Sequence, residues 1–422
     1  MGSVNVRIVL LLVVCLGVGV CRAASILIPM DEKQANHLKA YGIAYKTLKD
    51  GMEVEWLLNY RGGSFLIKQN AAVETECRVR GVSFETLSDS RAGSILQQIS
   101  NPDVNMDAVK LLKAAKIAVY SPVKVSPSEF ENTDAVLVAL NYAEIPYEVV
   151  YDEEILKGEL MKYDWLHLHH EDFTGQFGRN MQRMSSEDIR VQEDIARRMG
   201  YKKVSHMKLA VAKTIKDFCA SGHYLFAMCS GAETFDIALA AEGIDIVDSQ
   251  YDGDGIDGDA QLKLDFNKTV AFYNFTLDLS GGYRGMSFSD INASSGRFGG
   301  YDQSGTFFTL FDFSAKWDVI PAMLTQNHES VIKEFHGQTS SFKKNTVKPS
   351  ALVMGESVNS HRYIYGEIGI GQFAFYGGHD PEGQRGNWRM PTDLNLHPHS
   401  PGYRLILNNV LFPSARKKKR KT

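Results

Sequence analysis

Cys229 is the residue of this chain best placed to act as a nucleophile. It follows a short apolar run, Tyr224 to Met228, and precedes Ser230, Gly231 and a helix-forming stretch from Glu233 to Glu242. An apolar run that short predicts a parallel strand buried on both faces. Strand, tight turn with a nucleophilic side chain, then helix is the nucleophile-elbow arrangement. Small residues two before and two after the thiol, Ala227 and Gly231, let strand and helix come close. The helix N-terminus offers backbone N–H groups and a positive dipole end, which favour thiolate and oxyanion. The alternative reading of Cys229 is a buried core cysteine. A thiol nucleophile needs a base, and the base needs an acceptor to orient it. The segment from Gly369 to Gly383 reads as a strand that delivers His379, Asp380 and Glu382 into a Gly/Pro loop.

Two other constellations carry chemistry. His167 and His169 lie two apart in a strand and so share a face. His170, Glu171 and Asp172 follow directly, then Thr174 and Gly175. His169, His170 and Glu171 are expected to line a site. Three histidines with two carboxylates also form a donor set for Zn²⁺. The second constellation is Asp252, Asp254, Asp257 and Asp259 among glycines. Closely spaced oxygen ligands on a flexible loop suit Ca²⁺. The spacing is not that of an EF-hand, and the alternative is an acidic solvated turn. Ca²⁺ ranks ahead of Zn²⁺, and thiol chemistry at Cys229 requires neither.

The positioning elements can be read from the pattern. Strands are expected at Lys116 to Tyr120, Tyr147 to Tyr151 and Tyr163 to His169. Helices lie between them, at Asn132 to Ala143 with Asn132 or Thr133 as N-cap, and at Glu153 to Lys162. A long helix from Ser186 to Ser221, broken near Gly200, leads to the elbow strand. Alternation of this kind predicts a parallel sheet with helices on both faces and ligands at the carboxyl ends of its strands. The turn after His169, Cys229 and His379 all fall at such ends. Residues 24–113 open with strand, helix, strand, as a separate α/β region or an extension of the main sheet. The main domain covers 114–242 and 348–413. Residues 243–347, rich in Gly, Asp, Ser and aromatics, are read as a β-rich or irregular insertion, with a strand-like alternation from Lys263 to Leu279. Lying between nucleophile and histidine in sequence, it is expected to roof the site.

The chain has 422 residues, of which 44% are apolar and 23% charged, as in ordinary soluble globular proteins. Residues 1–23 read as a signal peptide: Arg7, an apolar run from Ile8 to Val20, then small residues permitting cleavage near Ala23. Val20 before Cys21 argues against a lipid anchor. An exported protein is expected, periplasmic if the source is Gram-negative, with no membrane span. Beyond the leader there are three cysteines, Cys77, Cys219 and Cys229, so at least one thiol stays free. A pair between Cys77 and Cys219 would leave Cys229 as that thiol. Residues 414–422 form a tail with six consecutive basic residues, Arg416 to Lys421, on a chain of formal net charge −4. No aromatics interleave with them, which argues against nucleic acid as a partner. A small molecule, sugar or peptide is the expected substrate, and the oligomeric state is open.

These landmarks resemble the class I glutamine amidotransferase superfamily, which places its nucleophile in Gly-x-Cys-x-Gly and its histidine in a strand-end His-Pro-Glu. ThuA-like proteins are more distant relatives. The resemblance covers about Ala115 to Phe412 and ends on a closing helix, Gly402 to Phe412. It implies an α/β, doubly wound, mainly parallel sheet, amidotransferase- or flavodoxin-like, with an N-terminal α/β extension and a β-rich insertion. It also implies a cysteine-dependent amidase or hydrolase. Cys229 would attack and His379 would act as base, oriented by Glu382 or Asp380. Ser230 and the Thr174–Gly175 backbone would hold the oxyanion. Two departures stand out: Ala227 replaces the first elbow glycine, and Pro381 stands where the family has its glutamate. The alternatives are a non-catalytic or sugar-binding ThuA-like protein, gripping its ligand with His170, Glu171 and Trp388, and a histidine-ligated metal hydrolase. The whole chain also resembles secreted bacterial proteins labelled asparagine synthetase B. Ser280-Gly281-Gly282 lacks the Asp and Ser with which a synthetase grips pyrophosphate, so no ATP site is expected.

Overall fold

The computed structural model describes residues 23–122, 134–177, 186–279, 287–294, 307–333, 335–382 and 392–415. The leader, Asn132, Thr133, the Ser280–Gly285 stretch, Trp388 and the basic run lie outside these.

The first region builds its own sheet. Strands β1 (Ala23–Ile28), β2 (Val54–Leu58), β3 (Ser64–Lys68), β4 (Glu85–Ser88) and β5 (Asp107–Leu111) pair antiparallel in the order β4-β1-β3-β2-β5. It is a separate sheet, not an extension of the large one. Helices α1 (His37–Lys49), α2 (Ala71–Val79) and α3 (Asp89–Ser100) begin where Asn36, Asn70 and Ser88 cap free backbone N–H groups. Helix α1 is buried almost throughout because it is packed on two sides. Tyr41 meets Trp56 and Phe65 of the small sheet edge-on. On the other side, a side chain at Gly42 would collide with the Ala143 carbonyl.

The second sheet is mixed and ten-stranded. Along the chain run β6 (Ile117–Tyr120), α4 (Ala135–Ala143), β7 (Glu148–Val150), α5 (Asp152–Leu156) and β8 (Trp165–Leu168). Then come α6 (Ser186–Arg198), α7 (Val204–Ala220), β9 (Tyr224–Met228) and α8 (Cys229–Ala240). Gly200, at φ +87°, separates α6 from α7 as its position suggests. The N-cap of α4 is Asp134, in place of the expected Asn132 or Thr133, and its carboxylate accepts from Val136 N and Leu137 N.

Alternate side chains of the parallel strands go to opposite cores. Ile117 and Val119 of β6, with Tyr224, Phe226 and Met228 of β9, join the core under α1 and α4. Ala118, Tyr120, Leu225 and Ala227 join the core under α7 and α8. Every residue of β9 is buried, which is why its sequence is a continuous apolar run.

After α8 the chain makes α9 (Ser249–Asp252), α10 (Ala260–Lys263), β10 (Phe307–Leu310), α11 (Val319–Leu324), β11 (Val331–Lys333) and β12 (Phe342–Lys343). It ends with β13 (Leu352–Glu356), β14 (Ser360–Ile368), β15 (Gly371–Tyr376) and α12 (Pro401–Leu411). Helix α12 packs beside α1 and α4. The sheet order is β11-β10-β13-β14-β15-β9-β8-β6-β7, with β12 against β14. Strands β15, β9, β8, β6 and β7 are parallel neighbours, and the rest pair antiparallel. The expectation of a mainly parallel sheet is therefore corrected to a half-parallel one. The β14–β15 hairpin and strands from the 243–347 segment extend the sheet beyond β15. The alternation from Lys263 to Leu279 is not a strand. The buried Asp236 carboxylate takes the N–H groups of Val270, Ala271 and Phe272, each at 2.7 Å, which removes these donors from any ladder. Among the described residues no helix is long and apolar enough to cross a membrane.

Candidate functional site

Cys229 sits where β9 turns into α8, with φ at +53°, in the left-handed region. A non-glycine residue there costs on the order of 1 kcal/mol and persists only where neighbours hold it. Both neighbouring strand ends do so. Cys229 N donates to Gly378 O at 3.1 Å, after β15, and Gly231 N donates to His169 O at 3.0 Å, after β8. The second contact explains Gly231: a Cβ there would lie 2.5 Å from His169 O. Ala227 fits within the core under α7 and α8, so the missing elbow glycine is tolerated.

Cys229 is 1% exposed. Its cover is the segment from His336 to Thr339, which lies in the expected insertion. Gln338 N donates to Sγ at 3.2 Å. Gly337 has φ +154°, and a Cβ on it would come 2.8 Å from His379 Cδ2 and 3.0 Å from Cys229 Sγ. Ring and sulfur thus flank the same point on the cover, with Cδ2 the ring atom nearest Gly337. The hydrogen bonds Sγ accepts come from Gln338, Thr339 and Ser230, not from the ring. The cover is stitched down by Gly378 N to Thr339 O at 2.6 Å and His379 N to His336 O at 2.7 Å. Beneath it Glu233, one turn along α8 from the thiol and fully buried, accepts from Thr339 Oγ1 at 2.6 Å and Ser289 Oγ at 2.7 Å.

Burial dominates the titration of this region. It pushes the Cys229 thiol up, while N–H groups of Thr339, Ser230 and Gln338 pull it down. It lowers His379 to about 4, leaving a neutral imidazole near pH 7. Burial raises Glu171 and Glu233 to about 7. Cys77 and Cys219 are pushed up to about 12, also by burial. All three thiols are free, so Cys77 and Cys219 form no pair.

The two carboxylates expected to orient His379 face elsewhere. Asp380 accepts from Thr392 Oγ1 at 3.1 Å and Tyr403 OH at 3.3 Å. Glu382 accepts from Lys333 Nζ at 2.8 Å. The ring's Nδ1 is buried without a partner. What lies against the ring is His169, edge-on at 4.6 Å between centroids. His169 Nδ1 is 2.9 Å from His170 Nδ1 and 3.5 Å from Asp134 Oδ2. His167 Nε2 is 3.1 Å from the same Asp134 oxygen. Glu171 accepts from His169 N at 2.7 Å.

Of the expected oxyanion donors, Ser230 directs its N–H and hydroxyl to the Cys229 sulfur. Thr174 N and Oγ1 are taken by Asp172 Oδ1, at 2.8 and 2.5 Å. Gly175 lies against Ser205 at the start of α7. Thr174 also lines a separate cavity of about 240 Å³ between α7 and the end of α8.

The histidines do not converge as a metal set. Among the described residues the three-ligand group that does is Asp245, Asp252 and Asp254. Lys203 Nζ occupies its centre, 2.6 Å from Asp245 and 3.0 Å from Asp252, and also meets Asp254. Asp257 instead accepts from Asp245 N at 3.0 Å, and Asp259 precedes α10 in a left-handed conformation. The four aspartates of the loop therefore do not come together.

Three features of the site went unread in sequence. Asp134, directly before an apolar helix, carries a capping signal. Glu233 stands at helical spacing from Cys229, hence on its face. The cover at Gly337 has no local signal.

No family model and no curated protein matches the chain. Solved structures with some similarity include two cytoplasmic proteins of Salmonella typhimurium. STM3548 has a TM-score of 0.36 and 12% identity, covering 72% of this chain and 100% of its own. STM1381 has a TM-score of 0.37 and 11% identity, covering 71% and 99%. Gan42B, a GH42 β-galactosidase, has a TM-score of 0.27 and 11% identity, covering 64% of this chain and 28% of its own. Similarity at this level carries no argument about fold or activity.

Proposed function

We propose that the chain is an exported cysteine-dependent amidase or related acyl hydrolase, built on a doubly wound sheet of amidotransferase type. What supports this most is the strained Cys229 elbow, tied by backbone hydrogen bonds to the ends of both neighbouring parallel strands, with the His379 ring beside the sulfur. Neutral His379 takes the thiol proton at Nε2 as sulfur bonds to the substrate carbonyl carbon. The tetrahedral oxyanion is held by the N–H groups of Ser230 and Gln338, which now point at the sulfur, in place of the Thr174–Gly175 backbone. His379 returns the proton to the leaving amine as the C–N bond breaks. Water then attacks the thioester, giving its proton to His379, and free thiol and acid are released. No step draws on ATP or a metal.

The test is intact-mass analysis of the purified protein after exposure to small acylating and alkylating electrophiles, followed by peptide mapping. One adduct per chain on Cys229, lost in Cys229→Ser, is expected. An adduct that maps to Cys77 or Cys219 ahead of Cys229 would sink the proposal.

A further inference from the structure

His379 needs a group that orients its ring and balances the positive charge it acquires with the thiol proton. The two carboxylates next to it in sequence are engaged with Thr392, Tyr403 and Lys333. The ring's Cδ2 and the thiol sulfur both lie against Gly337, and its Nδ1 is buried without a partner. Edge-on to the ring stands His169, whose Nε2 is also buried without a partner. Two orphan imidazole nitrogens on rings 4.6 Å apart are costly separately, and a turn of the rings that joined them in one hydrogen bond would satisfy both. His169 Nδ1 lies 2.9 Å from His170 Nδ1 and 3.5 Å from Asp134 Oδ2. That carboxylate is 1% exposed and is held ionised by two N–H groups of α4 and by His167. The groups facing His379 are His169 and His170 after β8, His336 from the cover, Cys229 from α8, and Asp134 behind His169. Glu171, beside His169, is the remaining acid.

We infer that Asp134, acting through the His169 ring, orients His379 and balances its charge in place of Asp380 or Glu382. In the acting arrangement the rings turn so that His379 Nδ1–H donates to His169 Nε2, and His169 Nδ1–H, within reach of both His170 Nδ1 and Asp134, points to Asp134. Asp134 and His169 are positioning residues, and this rests on the hydrolase reading above.

The test is the pH–rate profile of Cys229 alkylation by iodoacetamide, mapped by peptide, in Asp134→Asn, His169→Phe, Glu382→Gln and His379→Ala. Asparagine caps a helix as well as aspartate does, so Asp134→Asn removes the charge and keeps α4 capped. Thermal melting identifies any variant that fails to fold, and Asp134→Asn decides if His169→Phe does. We expect Asp134→Asn and His169→Phe to slow labelling at pH 7 by about tenfold and to move the profile up by about one pH unit. Glu382→Gln should stay within about twofold. A wild-type profile in Asp134→Asn, or a loss in Glu382→Gln matching that of His379→Ala, overturns the inference and leaves the hydrolase standing. Labelling indifferent to His379→Ala takes down both.

Discussion

The parallel and antiparallel halves of the large sheet meet at β15 and bring different things to the same site. The parallel half brings the groups proposed to react. Cys229, the turn after His169 and Gly378–His379 stand at three adjacent strand ends, joined by backbone hydrogen bonds. The antiparallel half brings the cover. His336 to Thr339 lies between β11 and β12, and it closes over the sulfur through Gln338 and Glu233. One half can hold the chemistry while the other governs access, because the two are coupled at a few named contacts. Those contacts are where the comparison can be broken.

The largest effect is expected at Glu233, which ties α8 to the cover. Glu233→Ala removes a buried acceptor and strands the hydroxyls of Thr339 and Ser289. A loss of roughly 2–4 kcal/mol in stability is expected, read by urea unfolding. A loss within experimental error would show that the cover is held by its backbone bonds alone.

Next in size is Gly337→Ala. The added methyl would meet both His379 Cδ2 and the sulfur, so the cover must lift. We expect about 1–3 kcal/mol of destabilisation and faster alkylation of Cys229, now less enclosed. Slower alkylation would mean that the methyl blocks the thiol without moving the cover.

Buried histidines and buried glutamates give opposing pH responses. His37 is lowered to about 3, and His170, His328 and His379 to about 4, chiefly by burial. Their contribution is present above the ordinary histidine range and is lost as pH falls through 4. Glu171 and Glu233, raised to about 7, act in the opposite sense: their contribution is present below about 4.5 and is lost as pH rises through 7. With more histidines than glutamates, stability should peak near neutrality and fall toward pH 4.5. Glu233→Gln removes part of the opposing contribution, so its stability should fall more steeply, by about 1 kcal/mol more per pH unit. Parallel curves for wild type and variant would contradict this.

The smallest effect is expected at the acidic loop. With Lys203 among Asp245, Asp252 and Asp254, millimolar Ca²⁺ should leave the melting curve of the natural chain unmoved. Lys203→Met should gain about 1 kcal/mol of Ca²⁺-dependent stability. A calcium-dependent rise in the natural chain would restore the loop as a cation site.

What could be read from sequence follows the same division. The parallel half was legible because burial on both faces writes continuous apolar runs, as at Tyr224 to Met228. The elbow and the strand-end histidine announce themselves locally. The antiparallel half was not legible. Its strands from the 243–347 segment are short, and Asp236 claims three N–H groups of a segment that alternates like a strand. Asp380 and Glu382 were expected behind His379 because they are its neighbours in sequence. Their directions are set by Thr392, Tyr403 and Lys333, contacts that no local pattern encodes. Lys203, some fifty residues before the loop it neutralises, was invisible for the same reason.

The central claim is that Cys229 is a nucleophile served by His379. The direct measurement is the alkylation rate of each of the three thiols at pH 7, in the natural chain and in His379→Ala. The account predicts that Cys229 reacts first and that the variant slows it by about tenfold or more, leaving Cys77 and Cys219 unchanged. A Cys229 rate indifferent to His379→Ala would contradict it.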